Sequence, residues 1–421
     1  MTKHCEIVFP YSFGFICIQH FERKGTMDSI SRSLNRFSFD LSNKISSSEI
    51  DKNNAISPLS ISATLGLVLL GAREETSTQI KKVLHLLDSE TTPKDERRGI
   101  EKSCGKKIKR DEVSDVHNQF HELLTQLKSP TSDSVLAIAN AAFTQLNFPL
   151  LEEYLTSAKE LYDAKVETVD FQDDKTRLKI NSWVEEKTKG KIKDLFSDSL
   201  DKSTSIILVN AVYFKGQWKK KFNVANTTNA PFYIKKDSEI SVPMMSQTEK
   251  FNFGEIDEID AQIIELPYAT GELSMFIILP NDIAGLQKID NQITAESLMK
   301  WTNSENLTST KVEIQLPRFK IETSYNLVQY LENMGMIDAF SQQKANLSGI
   351  SDKGLYVSQM IHKCYIEVNE EGTEAAAATG AVIVPKSLIL PKKFIVKHPF
   401  LSFIKHITFD TILFHSKVYF P

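Results

Sequence analysis

Cysteine is scarce in this chain. Only Cys5, Cys17, Cys104 and Cys364 occur in 421 residues, widely spaced and without a CxxC pair. That excludes a disulfide framework and a clustered zinc site, and it fits a reducing compartment. Neither sign of charge dominates, with 50 basic against 54 acidic residues. No global field therefore points to nucleic acid, and no acidic excess points to disorder. Long apolar runs are missing too: residues 205–212 and 274–280 are apolar but far too short to cross a bilayer. No G-x-S-x-G elbow, P-loop or G-x-G-x-x-G is present. His117 and His121 share a helix face, but Asn118 stands where a zincin needs the water-activating glutamate. They are read as exposed or half-buried helix histidines. Glu185-Glu186 and Glu370-Glu371 are neighbours in sequence and need not converge on a substrate. An enzyme has no constellation to rest on, and no metal or cofactor is expected.

What is present is an ordinary globular composition, 41% apolar and 25% charged. The length suits two or three domains or one large β-rich one. Residues 7–18 loosely resemble a signal-peptide core, yet Pro10 and Tyr11 interrupt them and no A-x-A-like site follows. Residues 1–26 are read as an extension ahead of a start at Met27. Sequons at Asn226, Asn306 and Asn346 matter only in a secreted chain.

From Asp28 the pattern is regular. Ile30, Leu34, Phe37 and Leu41 recur at helical spacing. Ser57, Pro58 and Gly71 bracket an apolar helix with cap, first-turn proline and terminal glycine; its apolar residues run almost all the way round, so it belongs inside the core. Residues 88–112 read as a long polar loop, 114–127 as a helix striped by Val116, Phe120, Leu123 and Leu127, and 181–196 as a helix around Trp183. Strands are predicted at 206–212, 261–266, 273–279 and 312–319, a helical stretch at 325–334, and β-rich segments at 354–368 and 394–420. Helices first and strands later, without βαβ alternation, argue for an α+β fold.

The most unusual stretch is Glu370-Glu371-Gly372-Thr373-Glu374-Ala375-Ala376-Ala377-Ala378-Thr379-Gly380-Ala381-Val382-Ile383-Val384-Pro385-Lys386-Ser387. Four alanines alone favour a helix, but Gly380, the Val-Ile-Val run and Pro385 oppose one. No charge occurs from Ala375 to Pro385, and side chains stay small until Val382. As a strand, one face would carry Thr373, Ala375, Ala377, Thr379, Ala381 and Ile383. Such a segment could be exposed first and buried in a sheet later, with no stranded charge and little overpacking.

This stretch resembles the hinge of a serpin. Asn210-Ala211-Val212-Tyr213-Phe214-Lys215-Gly216-Gln217-Trp218, Leu316-Pro317-Arg318-Phe319-Lys320, Leu273-Ser274-Met275 through Leu279-Pro280, and His398-Pro399-Phe400-Leu401 are similar to other blocks of that family. Together they are specific, and the likeness spans about residues 27–421, one domain. The start near Met27, the 88–112 loop and the end at Pro421 resemble the ovalbumin-like, clade B branch, whose members usually lack a cleaved signal peptide and stay inside cells.

The resemblance implies three β-sheets, about nine helices and an exposed reactive-centre loop over 370–393. It implies a monomeric inhibitor of serine proteases, with no nucleic acid or membrane partner. The hinge would be Glu370, Gly372, Thr373, Glu374, Ala375, Ala376, Ala377, Ala378 and Thr379. Counting fourteen residues on from Gly372 places the specificity residue at Lys386, so Lys386–Ser387 is the expected bait for trypsin-like proteases. Ser57, Ser60, Asn210 and His362 correspond to the polar cluster that controls sheet opening. Their plainer alternative is ordinary core hydrogen bonding. Lys106, Lys107, Lys109 and Arg110 resemble a nuclear import signal, set against plain solvated charge. A cytoplasmic location is implied, with the nucleus and release from the cell left open.

Departures from the family pattern bear on stability. Residues 54–58 are one residue short of the usual block, Lys397 replaces an asparagine, Ser402 replaces a large aromatic, and His415-Ser416 stands where glycine usually follows an aromatic or small residue. The rival function is a non-inhibitory serpin acting as a binding or chaperone-like protein, which generally carries charged or bulky hinge residues.

Overall fold

The computed structural model describes residues 12–87, 108–127, 134–290, 292–370 and 390–421, of which 12–28, 108–115, 134 and 304 are described by their backbone alone. In its first half the chain forms α1 (Ser12–Ser48), β1 (Asn54–Ile56), α2 (Pro58–Gly71), α3 (Glu74–Val83), α4 (Ile108–Leu127), β2 (Ser134–Gln145), α5 (Glu152–Tyr162), β3 (Lys165–Val169) and α6 (Lys175–Lys187). Strands then dominate: β4 (Ile206–Gly216), β5 (Thr228–Lys235), β6 (Ser238–Ile256), β7 (Ala261–Pro267) and β8 (Leu273–Pro280). After α7 (Leu286–Asp290) and α8 (Ala295–Trp301) come β9 (Thr308–Pro317), β10 (Phe319–Asn326), α9 (Val328–Glu332), β11 (Val357–Val368), β12 (Lys392–Ile395), β13 (Phe400–His406) and β14 (Thr411–Val418). Nine α-helices are thus found among the described residues.

One sheet has five strands in the order β10-β11-β4-β2-β3. The other has nine, β1-β14-β13-β8-β7-β6-β9-β12 with β5 also on β6. The long β6 pairs with β5, β7 and β9, so two of the three expected sheets share hydrogen-bonded strands through it.

The apolar helix is where its composition requires. Every residue of α2 except Leu70 is buried, and the helix packs against β14 on one side and β4 and β2 on the other. Gly71 is its last residue and not a left-handed cap. A Cβ there would lie 2.1 Å from Ile350 Cγ1, so glycine is needed for close approach. The far face of the five-stranded sheet is covered around α6, where Phe143, Ile180, Val184 and Tyr213 share a core. A sheet buried on both faces reads as a continuous apolar run, which is why β4 was legible.

Three helix boundaries differ from expectation. Helix α4 begins at Ile108, so 108–112 is helical and not loop; Lys-Arg-Asp-Glu are good or tolerable helix formers. Helix α6 covers Lys175–Lys187 and stops well before Phe196. Lys189 and Gly190 take positive φ (54° and 73°) just beyond it, and the Asn181 amide bonds both N–H and C=O of Phe196 at 3.0 and 2.9 Å, folding the segment back. Helix α9 is confined to Val328–Glu332 because Tyr325 and Asn326 still belong to β10.

The atypical residues are accommodated together. Ser402 and Ser416 are directly opposite on β13 and β14. The His415 ring lies 4.6 Å from Phe403 and 5.0 Å from Phe39, and its nitrogens meet the Ser38 and Ser42 hydroxyls of α1 at 3.2 and 3.4 Å. Lys417, 1% exposed, is paired with Asp290 at 2.5 Å. The Lys397 carbonyl accepts from the Tyr233 amide at 2.7 Å.

His117 is fully buried rather than exposed or half-exposed; its Nδ1 meets the Tyr162 hydroxyl at 2.5 Å. Burial, then the charges of Lys81 and Arg73, lower its pKa to about 4. His121 is exposed, and no metal-binding cluster occurs among the described residues.

Candidate functional site

Strands β11 and β4 lie side by side at the centre of the five-stranded sheet and run parallel, from Val357↔Ile206 to Ile366↔Phe214. Their outer neighbours β10 and β2 pair with them antiparallel. A parallel pair is slightly weaker per residue than an antiparallel one. A chain leaving the end of β11 and turning back would be antiparallel to both strands, so the seam, though closed, is a lane of matched polarity for such a strand. The chain leaves β11 at Val368 and returns at the exposed Leu390, ahead of β12, which pairs in parallel with β9 of the other sheet.

A row of polar side chains crosses the seam. Asn140, Asn210 and His362 occupy directly facing positions on β2, β4 and β11. Above them lie Ser57, just ahead of α2, and Ser60 and Thr64 within it, all buried. The Ser57 amide donates to His362 Nε2 at 3.2 Å. That nitrogen must therefore be bare, and the proton sits on Nδ1, which donates to Asn210 Oδ1 at 2.6 Å. Burial, partly opposed by the hydrogen bond at Asn210, lowers the His362 pKa to about 3. Asn210 Nδ2 has two hydrogens and lies within reach of Asn140 Oδ1 and Ser60 Oγ, both at 2.5 Å, with Thr64 Oγ1 at 3.2 Å. Admitting a strand would move β11 and β4 apart by about 4.8 Å, which the 2.6 Å His362–Asn210 bond cannot survive.

Two buried imidazoles, His362 at the seam and His117 on α4, make the fold acid-sensitive. His362 and His117 keep pKa values of about 3 and 4 when folded, against about 6.5 unfolded. Below pH 6.5 the unfolded chain binds protons that the folded chain refuses, so stability is full above that pH and falls as pH drops toward 4. Linkage gives a loss of about 4 kcal/mol for the pair between pH 7 and 5. Urea midpoints at the two pH values check this, and equal midpoints would contradict neutral burial.

The start of the loop is anchored at Glu370. Arg318 Nε reaches both carboxylate oxygens at 2.7 Å, and the Thr227 hydroxyl adds a further bond. Burial pushes this carboxyl up, but Arg318 and Thr227 outweigh it and hold it below the ordinary glutamate value. Trp218 Nε1 donates to the Asn369 carbonyl at 2.8 Å, and the Phe222 amide to that of Glu370 at 3.1 Å.

The structure thus brings Ser57, Ser60, Asn210 and His362 together and fixes Glu370. Gly372, Thr373, Glu374, Ala375, Ala376, Ala377, Ala378, Thr379, Lys386 and Ser387 lie outside the described residues, as do Lys106 and Lys107; Lys109 and Arg110 start the backbone of α4. Asn140, Thr64 and Arg318 were not anticipated as members. Asn140 carried a signal, being a lone amide within the otherwise apolar run Ala137-Ile138-Ala139-Asn140-Ala141-Ala142-Phe143.

Residues 32–421 match the profile of the family described as "Serpin (serine protease inhibitor)". Human Serpin B4 is 42% identical over 398 residues, covering 93% of this chain and 99% of that protein. Mouse leukocyte elastase inhibitor A is 39% identical over 403 residues, covering 94% and 100%. The crystal structure of uncleaved ovalbumin superposes with a TM-score of 0.81 at 33% identity, covering 93% of this chain and all of that one (100%). The chain is therefore no enzyme: it belongs to the serpin family of serine protease inhibitors, in its ovalbumin-like, clade B branch.

Proposed function

We propose that this serpin is a suicide substrate for trypsin-like serine proteases. The protease serine attacks the Lys386 carbonyl, the bond to Ser387 breaks, and the departing Ser387 amine takes the proton, leaving an acyl-enzyme. The freed segment from Gly372 to Lys386 then enters the lane between β11 and β4, carrying the acylated protease with it before water can release it. The observation that carries this reading is the closed parallel seam, spanned by His362 and Asn210, followed in the chain by the Ala375–Ala381 stretch without charge or bulk. In this reading the polar row holds the sheet shut until cleavage. The clamp on Glu370 keeps the loop's first residues at the mouth of the lane. The protein acts as a monomer in the cytoplasm, a placement that rests on its branch of the family.

A lysine bait suits a specificity pocket with a buried acid, and Pro385 before it narrows the range of proteases. Replacing Lys386 with alanine should slow inhibition of trypsin by about a hundredfold or more, measured as second-order rates across a panel of trypsin-like proteases. A rate unchanged by Lys386→Ala would remove the bait assignment. The binding or chaperone-like alternative predicts no covalent complex with any member of the panel.

A further inference from the structure

A pocket of about 520 Å³ lies between β2, β3, α5 and α6. Its walls include Ile138, Leu155 and Trp183, and Lys159, Lys165 and Lys187 line it against one carboxylate, Asp163. Lys165 is already engaged: its ammonium sits 5.5 Å from the centre of the Trp183 ring and 2.9 Å from Glu167. Lys159 and Lys187 are exposed and make no ion pair among the described residues. The volume is within the usual range for small-molecule sites, and an apolar wall with a few convergent charges is their usual chemistry. A wholly apolar ligand would leave the lysines unanswered, and a small inorganic anion would leave the tryptophan wall bare.

We infer that this pocket binds an amphipathic organic monoanion, an acyl or aromatic body bearing one carboxylate. The body covers Leu155 and Trp183, and the carboxylate meets Lys159 and Lys187. The site is distinct from the protease-binding loop, yet it reaches the seam. Asn140, 7% exposed, lines the pocket and accepts a hydrogen bond from Asn210 at 2.5 Å. A ligand that bridges β2 and β3 to two helices favours the arrangement in which the row is closed, because it binds that arrangement and not an opened one.

Decanoate is the probe, with decanol as its uncharged counterpart. Isothermal titration into the full chain should show saturable one-to-one binding of decanoate, about tenfold tighter than decanol. The double variant Lys159→Ala/Lys187→Ala should lose about tenfold in decanoate affinity and leave decanol unchanged. These are exposed side chains, so the variant should fold. Decanoate should also raise the thermal midpoint of the uncleaved protein, and less so in the double variant. Absence of saturable binding up to about 1 mM, equal affinity in the double variant, or a lowered midpoint would each overturn the site. None of these readouts involves a protease, so the site stands or falls independently of the inhibitory mechanism.

Discussion

Ala375→Glu should abolish the covalent complex with protease while leaving cleavage at Lys386–Ser387 intact. The reasoning is one of burial. In the inserted strand, Ala375 shares a face with Thr373, Ala377 and Thr379, and the five-stranded sheet it would join is covered on both sides, by α2 and by the core around α6. A carboxylate taken into such a place without a partner costs several kcal/mol even after relaxation. Insertion competes with hydrolysis of the acyl-enzyme. A barrier raised by only about 3 kcal/mol shifts that competition by about a hundredfold. The variant should therefore behave as a plain substrate, giving two cleaved fragments and free protease on denaturing electrophoresis. Folding of the uncleaved form should be unaffected. Covalent complex persisting at the unmodified yield would mean that the segment does not enter the sheet through this face.

The second large effect is at the seam. Replacing His362 with leucine leaves the Ser57 amide and Asn210 Oδ1 without their partner inside a fully buried site. Each orphaned group costs about 1–3 kcal/mol, so the uncleaved protein should lose about 2–6 kcal/mol. The contrast between two forms is the informative part. In a cleaved form whose loop has entered the seam, β11 and β4 would already be apart and the His362–Asn210 bond already gone. The thermal midpoint of uncleaved protein should fall by far more than that of cleaved protein. Equal falls in both would make His362 an ordinary core residue, with no part in holding the seam.

Much of this was readable from the chain alone, and the exceptions have physical causes. The helix at Pro58–Gly71 and the strand at Ile206–Gly216 were legible because both are buried all round, and such elements leave long apolar runs. The hairpin β5–β6 was not. Its residues are mostly exposed or half-buried over Thr228–Lys235 and the first part of Ser238–Ile256, so alternation is weak and charged residues interrupt it. The end of α6 was misplaced because tertiary bonds, those from Asn181 to Phe196, decide where the chain turns, and the start of α4 because charged residues that read as loop are also helix formers.

The site divides in the same way. Ser57, Ser60, Asn210 and His362 could be named through the family likeness, but only the fold shows that they sit across a parallel seam with Asn140 as a fifth member. The clamp between Arg318 and Glu370 joins residues 52 positions apart, and no local spacing announces it. The unusual Ser402, His415 and Ser416 looked like threats to stability one by one. In the fold the two serines face each other across β13 and β14, and His415 meets the Ser38 and Ser42 hydroxyls of α1.

The central claim, that the loop enters the seam after cleavage and traps the protease, is tested most directly by incubating the chain with trypsin. Two readings are needed from the same sample: denaturing electrophoresis, and thermal unfolding of the cleaved product. A covalent complex that survives denaturation, with cleaved protein far more heat-stable than uncleaved, is the predicted result. Cleavage with no complex and no gain in heat stability would contradict it.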